Sequence, residues 1–147
     1  MDETAIIQYI TDTFADVETD TALGYTFFFH GSDHKLPFAT LATQDNDFDR
    51  ASNLDRPSVF RLNIRVSKDS YRSLFGPQPP APGPTGVVDT GHDFSALDQL
   101  LPHPTYAPQS WVCVLNPSAE TFQTVKPLLA EAYDLAVHRH ARREVGG

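Results

Sequence analysis

Within the segment from Val59 to Val66, apolar and polar side chains alternate strictly from Phe60 onward, and this pattern constrains the fold more than any other part of the chain. Successive side chains of a β-strand point to opposite faces of a sheet, so the alternation predicts a strand with one buried face. The buried face would carry the apolar side chains, which are Phe60, Leu62, Ile64 and Val66. The other face would meet water and would carry Arg61, Asn63 and Arg65.

The other elements are indicated by helical spacing, turn residues and runs of aromatic or β-branched residues. Helices are predicted at residues 2–15, 67–75 and from about 118 to about 142, with a short helical segment at 93–101. Strands are predicted at residues 25–29, 38–43 and 110–115, with a weak edge strand at 17–23. Because the strands are largely segregated from the helices, we predict an α+β fold, with a two-layer, largely antiparallel sheet and helices packed on one face.

The length and composition fit one folded domain. The chain has 147 residues, of which 40% are hydrophobic, and this is enough to build a core. Residues 1–147 are therefore predicted to form a single domain, with a proline- and glycine-rich surface loop at 76–91. The acidic N-terminus does not resemble a signal peptide, and no apolar run is long enough to cross a membrane. We therefore expect a cytoplasmic protein without membrane association.

The charged residues suggest one candidate binding surface. The net charge of −8 opposes general attraction to nucleic acid or anionic membranes. Against this background, basic side chains gather near the alternating strand, where Arg56 precedes it and Arg61 and Arg65 flank Asn63 on the face predicted to be open. Arginine binds phosphate or carboxylate through two parallel hydrogen bonds, and asparagine can read an amide edge. An ordinary solvated sheet face, neutralised by the acidic loop before it, explains the same pattern.

A second candidate site lies between residues 102 and 111. Prolines surround His103 and Tyr106, and Trp111 follows shortly after. Rigid proline turns could hold an imidazole and aromatic rings around a small ligand, and histidine can exchange a proton near neutral pH. This hypothesis requires a concave pocket at the loop, with His103 accessible to solvent. The alternative is a stiffened loop whose histidine and tryptophan cap the core.

Catalytic, metal and cofactor motifs are not evident in the sequence. Cys113 lies within an apolar strand, where burial makes a thiol inert, and no nucleophile elbow or phosphate-binding loop occurs. The histidines lack the spacing of a metal site, and a single cysteine excludes a disulfide framework within the chain. No catalytic residue, metal ligand or cofactor is therefore predicted.

Two stretches resemble a bacterial family of domains of unknown function, of the type found in actinobacteria. They are the sequences LDRPSVFRLNI at residues 54–64 and LLPHPTY at 100–106, the second followed by WVCVLNP at 111–117. The resemblance runs from about Phe27 to Ala136. Its motifs carry no assigned chemistry, so the resemblance implies a fold more than an activity.

A looser resemblance points to the MmcQ/YjbR-like proteins. In that group, a strand like Arg61–Val66 precedes a short helix, and a later strand with a tryptophan, here Trp111, leads to a closing helix with a tyrosine, here Tyr133. The resemblance implies a two-layer α+β fold similar to secretion chaperones and a suggested role in DNA binding. The net charge of −8 disfavours that role here.

The sequence thus favours a binding or interaction module over an enzyme. Its first candidate surface is the sheet face with Arg56, Arg61, Asn63 and Arg65, which could take an anionic ligand or a protein partner. The alternatives are a small-molecule binder or enzyme centred on His103, and, least favoured, a nucleic-acid-binding protein. The chain is expected to be a monomer or a homodimer.

Overall fold

A computed structural model describes residues 1–32, 34–47 and 49–146, with side chains described up to residue 139. Among these residues, six strands form one sheet in the order β1-β2-β3-β4-β6-β5, and each neighbouring pair is antiparallel. The strands are β1 (Val17–Ala22), β2 (Tyr25–His30), β3 (Ala39–Ala42), β4 (Arg61–Arg65), β5 (Leu100–Pro102) and β6 (Trp111–Leu115). The predicted α+β class is therefore confirmed.

Within the described part of the chain, three helices accompany the sheet. They are α1 (Glu3–Thr13), α2 (Lys68–Phe75) and α3 (Ala119–Gly146), and a 3₁₀ turn covers Ala107–Gln109. The side chain of Ser67 accepts a hydrogen bond from the Ser70 amide at 3.0 Å, and Gly76 ends the helix with a φ of 86°. Both ends of α2 therefore follow the local rules for helix caps. No helix of the described residues is long and apolar enough to cross a membrane.

The helices pack on one face of the sheet, as predicted. Ile6 and Ile10 of α1 and the apolar stripe of α3 belong to one continuous core, which also contains Leu62 and Ile64 of β4. Burial of these side chains removes apolar surface from water, and this stabilises the fold by about 25 cal/mol for each Å² of apolar surface that is buried. Pro127 lies within α3 without ending it, and its exposed position lets water solvate the carbonyl group that its missing N–H leaves free.

The opposite face of the sheet is covered as well, because the chain between β3 and β4 folds back over it. We call residues 43–47 and 49–60 the covering loop. Leu54 of this loop packs with Cys113 and Leu115 of β6 in a second, smaller apolar cluster. The sheet therefore lies between a layer of helices and a partial layer of loop.

The prediction of a short helical segment at 93–101 is wrong. The Asp93 side chain accepts hydrogen bonds from the amide of Ser95 at 3.0 Å and from its hydroxyl at 2.6 Å, which closes a tight turn instead of a helix. Asp98 then takes a positive φ of 56°, and Leu100 and Leu101 enter β5. Residues 76–91 contain neither a helix nor a strand, as their prolines and glycines predict.

Candidate functional site

The Arg61 side chain is fully buried at the centre of a polar network on the face that the covering loop closes. Its two terminal nitrogens bind the two carboxylate oxygens of Asp49, the Nη1 contact measuring 3.0 Å. Nη1 also donates to the Ser52 hydroxyl at 2.9 Å, and Nε donates to Asn63 Oδ1 at 2.7 Å. The guanidinium thereby fastens two residues of the covering loop to β4.

The predicted exposure of Arg61 and Asn63 is therefore wrong, although the predicted direction of their side chains is right. Both point away from the helices, as the alternation requires, but they are 0% and 1% exposed. The Asn63 amide donates to the Thr40 hydroxyl at 2.9 Å on the neighbouring strand. A charged side chain tolerates this burial because Asp49 supplies the opposite charge and hydrogen bonds occupy four of its five N–H donors.

The other two arginines of the predicted surface are not gathered with Arg61. Arg56 donates to the backbone carbonyls of Ser52, Asn53 and Ser95, at 2.8 to 3.2 Å, and so braces the covering loop. Arg65 lies at the far end of β4 and is half-buried. The open face predicted for Arg61, Asn63 and Arg65, with Arg56 just before it, is therefore not an open surface in the structure.

The charges of the network stabilise one another. Burial tends to raise the pKa of Asp49, but hydrogen bonds from Arg61 and its charge outweigh burial and hold that pKa below its ordinary value. Burial also tends to lower the pKa of Arg61, and Asp49 reverses this effect. The Tyr25 hydroxyl donates to Asp49, and burial followed by this contact raises the pKa of Tyr25. Asp49 and Arg61 are therefore ionised and Tyr25 is neutral at physiological pH.

A partly enclosed cavity of about 500 Å³ opens on this face, beside the network. It lies where the β1–β2 hairpin, the covering loop and the chain between β5 and β6 approach one another. Its walls are mainly apolar and include Leu23, Phe27, Leu36, Tyr106 and Trp111. Its polar groups include Tyr25, Thr40, Asn46, Asp49 and His103.

The second set of predicted site residues does line this cavity. The ring centroids of His103 and Tyr106 are 5.0 Å apart, and those of His103 and Trp111 are 6.4 Å apart. The rings come together because Pro102 ends β5, a 3₁₀ turn follows, and β6 brings Trp111 back beside it. His103 is 2% exposed, so it does not have the free solvent access that the pocket hypothesis required.

The imidazole of His103 is held by the backbone. Its Nδ1 accepts hydrogen bonds from the amides of Thr105 and Tyr106, both at 3.0 Å. Its Nε2 lies 3.4 Å from Arg61 Nη2. Burial, and secondly the Arg61 charge, place the pKa of His103 well below its ordinary value, so the ring is neutral at pH 7.

Several cavity residues were not singled out from the sequence. Asp49 lies in a loop rich in acidic residues, and nothing in the sequence distinguishes it from its neighbours. Tyr25 and Phe27 stand at alternate positions of the aromatic run in β2, so period two could have placed them on one face. Leu23 and Leu36 come from turns, where an apolar residue gives no structural signal on its own. Among the described residues, no cluster of three His, Cys, Asp or Glu is placed to hold a metal ion.

Comparison with known protein families identifies the family to which the chain belongs. The chain belongs to DUF6194, a family of unknown function whose model matches residues 1–145. A crystal structure of a protein from Pseudomonas syringae, determined by a structural-genomics consortium, is similar over 92% of this chain and 99% of its own. The TM-score is 0.51 at 17% sequence identity, so the likeness concerns the fold alone. A search of curated proteins gives no match.

The buried ion pair gives a test of the network. Arg61→Met leaves the Asp49 carboxylate buried without its partner, and we expect the free energy of unfolding in urea to fall by about 3–5 kcal/mol. Adding Asp49→Leu to this variant should recover part of the loss, because no uncompensated charge is then left. Arg65→Met, the control on the same strand, should change it by less than about 1 kcal/mol. A double variant that is no more stable than Arg61→Met would contradict this account of the pair.

The lowered pKa of His103 gives a pH dependence of defined sign. The unfolded chain binds a proton near the ordinary pKa of 6.5, whereas the folded protein keeps this ring neutral to lower pH. Stability from His103 is therefore complete above pH 6.5 and is lost as pH falls below it, by at most about 1.4 kcal/mol per pH unit. His103→Gln should flatten the decline in unfolding free energy between pH 7 and pH 5. The exposed His138→Gln should leave that decline unchanged, and equal slopes in all three proteins would refute the assignment.

Proposed function

We propose that this protein binds a small, largely apolar molecule in the cavity on the covered face of its sheet, and that it acts as a binding module and not as an enzyme. The observation that carries the proposal is the cavity itself. A space of about 500 Å³ with apolar walls and a few convergent polar groups has the size and composition of small-molecule sites in proteins.

The mouth of the cavity supports this proposal. Leu23, Leu36 and Tyr106, all of which line it, are 68%, 46% and 54% exposed. Large apolar side chains exposed one at a time are ordinary, but three around one opening form a patch that a ligand would cover. These side chains come from three separate loops, so no single local sequence explains their meeting.

The backbone at Leu23 adds a further observation. Leu23 and Gly24 form the two-residue turn between β1 and β2, and both have positive φ values, 54° and 80°. Turns of this type favour asparagine followed by glycine, because a leucine with positive φ is strained. A strained and exposed leucine reduces stability, and the proposal accounts for it, because at the cavity mouth its side chain would contact the ligand.

The polar groups of the cavity favour binding over catalysis. Asp49 and Arg61 are engaged with each other, and the acceptor nitrogen of His103 is occupied by two backbone amides. Cys113 is buried on the same face of the sheet, and burial raises the pKa of its thiol to about 12. None of these groups is arranged to accept a proton from a substrate or to attack one.

The other predicted partners have less support. With Arg61 and Arg56 engaged in internal contacts, an anionic ligand or a protein partner loses the surface first assigned to it. The role in DNA binding that the resemblance to MmcQ/YjbR-like proteins suggests has less support for the same reason, since these two arginines are engaged within the protein. The cytoplasmic location and the monomeric or homodimeric state stay predictions.

Blocking the cavity tests the proposal directly. Trp111, the single tryptophan, lines the cavity, so its indole N–H signal in a ¹H–¹⁵N NMR spectrum reports on occupancy. The spectrum of the ¹⁵N-labelled natural protein first identifies the Trp111 signal. We expect dissolved naphthalene to shift this signal in the natural protein. The signal should not shift in Ala22→Trp, because the added ring would fill the mouth of the cavity. Thr21→Trp, on the opposite face of β1, should leave the response intact. If neither naphthalene nor a naphthalene that carries a ketone or a carboxylate group shifted the Trp111 signal in the natural protein, the proposal would be refuted.

Relieving the strain at Leu23 should separate stability from binding. Leu23→Asn creates the favoured turn sequence, and we expect the free energy of unfolding to rise by up to about 1 kcal/mol. The same change removes an apolar side chain from the cavity mouth, so naphthalene should bind more weakly in the same NMR titration. If Leu23→Asn proved less stable than the natural protein, the turn would not be strained as described.

A further inference from the structure

The hydrogen bonds of His103 determine which of its nitrogens carries the proton. The Nδ1 atom accepts from the amides of Thr105 and Tyr106, at 3.0 Å each. An amide hydrogen is fixed on the backbone, so Nδ1 must offer a lone pair to both donors. A neutral imidazole has one N–H, and in His103 it is therefore on Nε2.

This Nε2–H has no acceptor within the described part of the chain. Its polar neighbour is Arg61 Nη2 at 3.4 Å, and guanidinium nitrogens only donate hydrogen bonds. Two donors therefore face each other, and no hydrogen bond joins them. A buried N–H group without an acceptor is destabilising, and native proteins usually satisfy such groups by another molecule where the protein does not.

The cavity is the place from which an acceptor can come, since His103 is buried and forms part of the cavity lining. We infer that the ligand of this cavity is an uncharged molecule with an apolar body and a carbonyl- or hydroxyl-type oxygen, which accepts a hydrogen bond from His103 Nε2–H. This inference rests on the proposed binding function and narrows it to a chemical class. The Arg61 Nη2 group lies close enough to Nε2 to approach the same oxygen.

The charges around the cavity favour a neutral oxygen over a carboxylate or a phosphate. The Arg61 charge is matched by Asp49, which holds both of its terminal nitrogens. The Asp49 carboxylate also lines the cavity, so an anion would lie beside a negative charge. With His103 neutral, the polar end of the cavity carries no net positive charge, and desolvation of an ionic ligand would not be offset.

The protonated nitrogen can be measured without any ligand. Long-range ¹H–¹⁵N NMR of the natural protein at pH 7 distinguishes the two neutral forms of each imidazole, and His103→Gln assigns the signal. We expect the Nε2–H form for His103. Observation of the Nδ1–H form would overturn the inference and leave the proposed binding function standing.

Three probes of similar shape test the ligand class. Naphthalene has no acceptor, 2-acetylnaphthalene adds a carbonyl oxygen, and 2-naphthoate adds a negative charge. We expect 2-acetylnaphthalene to bind the natural protein about 3- to 10-fold more tightly than naphthalene, which is the range for one neutral hydrogen bond. We expect 2-naphthoate to bind more weakly than the ketone. The His103→Phe variant should bring the ketone and naphthalene to within about 2-fold of each other, whereas the exposed His92→Phe should keep their ratio.

The outcomes separate this inference from the proposed function. Equal affinity for naphthalene and the ketone in the natural protein would overturn the inference while the cavity remained a binding site. Tightest binding of 2-naphthoate would overturn the uncharged class. Absence of binding by all three probes would refute the proposed function and the inference with it. These comparisons use the natural protein, so they hold even if His103→Phe does not fold.

Discussion

The buried pair of Arg61 and Asp49 is the interaction on which the covered face of the sheet depends. Removal of a guanidinium from water is costly, and the cost is offset because Asp49 supplies the opposite charge and because Asp49, Ser52 and Asn63 accept from four of its five N–H groups. This requirement fixes the covering loop, since Asp49 and Ser52 must sit against β4. Asp49 in turn accepts a hydrogen bond from the Tyr25 hydroxyl, so the ion pair also positions Tyr25, and both Asp49 and Tyr25 line the cavity.

The two faces of the sheet therefore have different tasks. The helix face is continuous and apolar, and it supplies most of the burial that stabilises the fold. The covered face combines a small apolar cluster around Leu54 with a polar network, and it is not closed completely. A polar network restricts which groups can pack against it, because each donor and acceptor needs a partner. A group that enters a cavity beside such a network must therefore match its donors and acceptors. A gap in the apolar helix face would make no such demand.

Local patterns predicted the parts of the fold that depend on local physics. Period two in Val59–Val66 placed each side chain on the correct face, and Ser67 with Gly76 marked the ends of α2. Exposure could not be predicted in the same way, because it depends on a loop that returns to the strand from elsewhere in the chain. Arg61 looked solvated since its partner Asp49, twelve positions earlier, is one of several similar acidic residues. The helix expected at 93–101 failed because side-chain turns and pairing with β6 outweighed apolar spacing.

The same distinction explains the candidate site. Proline spacing around His103 predicted a rigid cluster of rings, and that local cluster exists. The opposite wall comes from Leu23 and Phe27, about eighty positions earlier, which only the sheet order brings across from β1 and β2. The backbone amides that hold Nδ1 of His103 leave its proton on Nε2, which meets no acceptor among the residues that the structure describes. Because no group of the described chain accepts this N–H, the proposed ligand would supply the acceptor that the fold lacks.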